Sequence, residues 1–178
     1  MELRQRIWNL MGPERRQAAA EAFWSNPELR AAQQQAEALL AKRLKARPVF
    51  IRRLPPDRKA TYLEREMATN AYLWDTALSA YHFAGHRSML SDFLNAVGIA
   101  NENGHYETVV PAKPPIPELL ENTVEQLLEK YRKLDVLIYF GVLVVQDGVF
   151  WANLRPIVER MEKEVQGESD PASGKSRA

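Results

Sequence analysis

The chain contains no cysteine among its 178 residues, which excludes disulfides, thiolate metal ligands and a cysteine nucleophile together. Glycine is scarce as well. The eight glycines are scattered and build no G-x-x-x-x-G-K-S/T, G-x-G-x-x-G or G-x-S-x-G pattern, so neither a phosphate loop, a dinucleotide site nor a nucleophile elbow is expected. Long apolar runs are also missing. The most apolar stretch, VLIYFGVLVV at 136–145, is about half of what a membrane span requires and reads as core. The amino-terminal MELRQRIWNLMG has none of the basic, apolar and small-residue sections of an export signal, so a cytoplasmic location is expected. No repeat at a solenoid period is evident.

What the sequence does contain is mainly helical. A chain of this length buries roughly 70% of its unfolded surface, enough for one ordinary core. Strong helix formers recur between well-placed punctuation: Gly12-Pro13; Ser25-Asn26-Pro27, with Asn26 as cap and Pro27 at the first helical position; and Pro117-Glu118. A long helix is expected from Asp57 or Arg58 to Phe83, with Leu63, Met67, Ala71, Trp74, Leu78 and Tyr81 on one stripe. A shorter helix at 86–97 should stop at a left-handed Gly98, with Ile99 turned back onto Leu94.

The expected architecture is therefore a single all-α domain over 1–166, irregular, with six to eight helices. A basic connector at 47–59 and a proline-rich linker at 111–117 interrupt it, and 167–178 form a disordered tail. Two places leave room for a small β-hairpin. One is 99–108, around Asn103-Gly104; the other is 136–153, where β-branched residues precede Gln146-Asp147-Gly148, although a buried helix is favoured there.

Charge is unevenly spread although the net is +1. Residues 1–60 carry 13 basic and 6 acidic side chains; residues 61–130 carry 4 and 10. The basic excess is expected to meet acidic side chains inside the molecule before any partner. Its densest part, KRLKARPVFIRRLPPDRK at 42–59, has eight cations against Asp57 alone. Arg47, Arg52, Arg53, Arg58 and Lys59 are the candidate anion-binding residues, able to track phosphates or an anionic lipid surface. The stretch is read as extended, with Val49, Phe50, Ile51 and Leu54 turned inward. No nucleic-acid module accompanies it, so a nucleic acid is not the favoured partner.

All three histidines lie between 82 and 105. His82 and His86 are four apart, which on a continuous helix puts both imidazoles on one face; Asp75 and Ser79 follow the same face. Asp75, His82 and His86 form the candidate metal site, suited to a divalent zinc or iron through two nitrogens and an oxygen. Gly85 could break that helix, and the glutamate of H-E-x-x-H is missing. Glu102 and His105 match E-x-x-H but straddle the Asn-Gly turn, where the spacing loses its meaning. The pairs Glu64/Glu66 and Glu125/Glu129 read as solvated faces. With no catalytic motif, a non-enzymatic module that binds another protein is the expected function, a metal-dependent protein its rival and an anion binder the third reading. No cofactor is called for beyond the possible divalent metal, and the residues do not specify an oligomeric state.

Overall fold

The structure is a computed structural model that describes residues 2–106 and 113–168. Among these residues there are ten α-helices and no strand. The chain folds as two compact units, Met1–Arg87 and Ser88–Ala178.

The first unit holds α1 (Leu3–Leu10), α2 (Gly12–Ser25), α3 (Arg30–Arg43), α4 (Pro48–Arg53), α5 (Pro56–Met67) and α6 (Ala71–Gly85). Its centre is α2, which packs against both α5 and α6. The contact is close because α2 presents Ala19 and Ala20 beside Phe23, all fully buried, and small side chains let neighbouring backbones approach. Leu63 and Met67 of α5 and Trp74 and Leu78 of α6 fill the remaining space. Asn26 accepts a hydrogen bond from the Glu28 N–H at 2.9 Å and starts a 3-10 turn, Pro27–Leu29, that leads into α3.

The second unit holds α7 (Arg87–Ala96, beginning one residue before it), α8 (Pro117–Lys130), α9 (Lys133–Gln146) and α10 (Arg155–Glu168). Helix α9 is the unit's axis: every residue from Val136 to Val144 is buried, and it packs against α8, α10 and the 3-10 turn Ala152–Leu154. Phe93 of α7 meets the rings of Tyr139, Phe140 and Trp151 with centroids 4.9–5.7 Å apart. Helix α7 ends as its sequence implies. Gly98 has φ +74, its N–H reaches the Asn95 carbonyl, and the Ile99 N–H reaches Leu94 at 2.8 Å.

Several expectations are corrected. The all-α class stands, but ten helices exceed the expected six to eight. One extra comes from the long helix, which is two: α5 stops at Met67, and Asn70 caps α6 by accepting the Leu73 N–H at 3.1 Å. Another comes from the basic connector, where 48–53 are helical rather than extended, with Pro48 supplying the fixed φ of a first helical position.

Among the described residues neither segment contains a hairpin strand. Residues 133–146 are helical because all sides of α9 are covered, and a continuous apolar run suits a wholly buried helix. At 99–108 the described residues hold one antiparallel bridge, Glu102 to His105, across Asn103 (φ 52) and Gly104 (φ 83). The Asn101 side chain ties the preceding residues to Ser91, Asn95 and the Gly104 N–H instead of leaving them to pair. Residues 107 and 108 lie outside the described residues, as do 169–178 of the expected disordered tail, whereas its first two residues, Gly167 and Glu168, belong to α10.

Candidate functional site

The basic segment is built on one buried anchor. Ile51 of α4 is fully buried against Leu40 and Ala41 of α3, with Trp24, Ala46, Leu54 and Tyr62 around them. Helix α4 packs on α3 and has only about a turn and a half, so a single inward position fixes it. Its other apolar side chains face outward: Val49 is 48% exposed and Phe50 54%. The inward reading of both is overturned. Leu44, at the end of α3, is exposed as well. Helical spacing puts Arg53 four positions after Val49, and Arg47 three before Phe50, so cations flank the two apolar side chains.

The eight cations of the segment divide into two groups. Arg52 donates through Nε and Nη2 to Glu37 Oε2, both at 3.1 Å, and Arg43 pairs with Glu66. Lys59 lies 4.9 Å from the Trp24 ring centroid and donates to the Arg52 carbonyl. Together with Arg16–Glu64, the Arg43–Glu66 pair joins the basic and acidic halves of the sequence inside the first unit. Lys42, Lys45, Arg47, Arg53 and Arg58 are exposed, and among the described residues no carboxylate lies within ion-pair distance of them. Of the five candidate anion-binding residues, Arg47, Arg53 and Arg58 therefore remain displayed, whereas Arg52 and Lys59 are engaged in the fold.

Lys45 is in the left-handed region, φ 51. It occupies the same place after α3 that Gly98 occupies after α7, with the Ala46 N–H bonded to the Ala41 carbonyl at 2.9 Å. A side chain there costs energy that glycine would not. No signal in the sequence pointed to Lys45.

The candidate metal residues lie on α6. The helix runs through Gly85, and the His86 N–H bonds the His82 carbonyl at 2.7 Å, so the two imidazoles share a face with centroids 5.9 Å apart. Tyr81 stacks beside both. His82 is buried, and its pKa is pushed down to about 3, chiefly by desolvation and further by the His86 charge, against a backbone hydrogen bond with Leu78. It is therefore neutral at ordinary pH, the form that ligates metals.

Asp75 shares the face but stands two turns away, about 10 Å along the axis from His82, too far for one coordination sphere. Among the described residues no group of three His, Cys, Asp or Glu side chains is placed to hold a metal ion. Glu102 and His105 face each other through their backbones, as the turn reading implies.

No helix of the described residues is long and apolar enough to cross a membrane. No family model, curated protein or solved structure matches the chain.

Proposed function

We propose that this protein is a non-enzymatic binding module whose contact surface is α4 with the turn that precedes it. One observation carries the reading: Val49 and Phe50 stand half exposed between Arg47 and Arg53, while their neighbour Ile51 is fully buried. Exposed apolar side chains rimmed by polar ones mark interaction sites more often than chance surface does. The cations specify an anionic partner, whether an acidic protein segment or another negatively charged surface, and five of them have no carboxylate of the described residues within ion-pair distance.

Photo-crosslinking in cells tests it. A photoreactive phenylalanine at position 50 should yield an adduct, with a protein or with lipid, that the same residue at position 72, where Tyr72 is equally exposed on α6, does not. Equal adducts from both positions, or none from position 50, would remove the contact surface.

A second reading, metal binding through His82 and His86, is favoured by the continuity of α6 through Gly85. Two imidazoles supply half of a tetrahedral set, so the remaining ligands would be water or side chains other than Asp75. Elemental analysis decides: stoichiometric metal that disappears in His82→Ala supports it, and trace metal unchanged by that substitution ends it.

A further inference from the structure

The partner class can be narrowed, on the reading that α4 is the contact surface. We infer that α4 and the end of α3 dock this protein onto the surface of a bilayer rich in anionic lipid.

Attachment to such a surface takes two signals, apolar side chains that enter the bilayer and a basic patch, and both are present between positions 42 and 58. Leu44, Val49 and Phe50 are the apolar part. Lys42, Lys45, Arg47, Arg53 and Arg58 are the basic part, with Asp57 the only acid between positions 42 and 59. Long cationic side chains beside an apolar tip reach headgroup phosphates while the tip enters the acyl boundary. The surface is also preformed. Ile51 and the Arg52–Glu37 pair hold α4 on α3, so little ordering has to accompany contact. The strained Lys45 keeps a cation where glycine would be more stable, as expected of a position serving contact rather than folding.

Nucleic acid fits less well. Binding without base readout uses several aromatic platforms, and Phe50 is the only aromatic in the segment; Val49 and Leu44 would lie against phosphate and sugar with nothing to stack on. A single acidic peptide would meet the cations but has no need of so many around so short a helix.

Co-sedimentation of the full chain with vesicles tests the inference. The probes are pure phosphatidylcholine and a roughly 2:1 mixture of phosphatidylcholine with phosphatidylglycerol, at about 0.1 M and about 0.5 M salt. Partition onto the mixed vesicles at low salt, weakened at high salt and absent on phosphatidylcholine, is expected. Each cation near such a surface strengthens partition about fivefold, so the double variant Arg47→Gln, Arg53→Gln should lose about 25-fold. Phe50→Ser should lower partition without altering the salt dependence. These side chains are exposed, and unchanged circular dichroism confirms that the variants fold.

No partition onto mixed vesicles, or partition indifferent to the double variant, overturns the inference. So does tighter binding to an oligothymidine, or to an acidic amphipathic peptide, lost in the same double variant. An adduct from position 50 without vesicle binding removes the lipid alone; no adduct and no vesicle binding removes the contact surface as well.

Discussion

Helices α4 and α9 begin from similar material, PVFIRR and DVLIYFGVLVV, each dense in apolar and β-branched residues, yet they use it oppositely. Helix α9 has neighbours on every side and buries all nine residues from 136 to 144. Helix α4 has α3 on one side and buries Ile51 alone, leaving Val49 and Phe50 to water. Apolar composition therefore does not determine burial; the number of helices packed around a segment does. A short apolar helix covered on one side is where a single-chain fold has surface to offer.

That contrast can be broken most forcefully in α9. Phe140→Ala removes a fully buried ring that Phe93 packs against, and should cost about 3–5 kcal/mol in denaturant unfolding. A cost near that of a surface substitution would mean that α9 is not the core of its unit.

Burial of a titratable group extends the same contrast to pH. Folded His82 stays neutral down to about pH 3, whereas the unfolded chain takes up a proton near the ordinary value of 6.5. Its contribution is therefore complete above 6.5 and is lost as pH falls towards 3, by at most about 1.4 kcal/mol per pH unit. Unfolding free energies of wild type and His82→Leu, compared between pH 7 and 4, should show wild type losing ground on acidification. A difference that stays flat with pH would place His82 in contact with water.

Smaller and opposite effects are expected at two equivalent helix ends. Gly98→Ala should destabilise by about 1 kcal/mol, because φ +74 strains any side chain even though space is open there. Lys45→Gly should stabilise by a similar amount at φ 51 while weakening vesicle binding. Thermal unfolding reads both; a Lys45→Gly variant that loses stability would remove the idea that Lys45 is strained for contact.

Much of the fold was legible where one residue decides a local structure. Gly98 with Ile99, Asn26 with Pro27 and the Asn103-Gly104 turn each act through hydrogen bonds to residues a few positions away, and each is where the pattern puts it. The break at Asn70 was not legible, since an asparagine inside an amphipathic stripe reads the same whether it caps or not; only the packing of α2 across both halves distinguishes them. The direction of Val49 and Phe50 depends likewise on what covers α4, which no local pattern reports. At the histidines, spacing carried both the face shared by His82 and His86 and, at about 1.5 Å per residue, the height that separates Asp75 from them; only the continuity of α6 through Gly85 needed the structure.

Two adjacent residues of α4 give the most direct measurement. Urea unfolding of Ile51→Ala and Phe50→Ala, side by side, should show a loss of about 2–5 kcal/mol for the first and less than about 0.5 kcal/mol for the second. A comparable loss for Phe50→Ala would place that ring in the core and contradict the claim that α4 is displayed for contact.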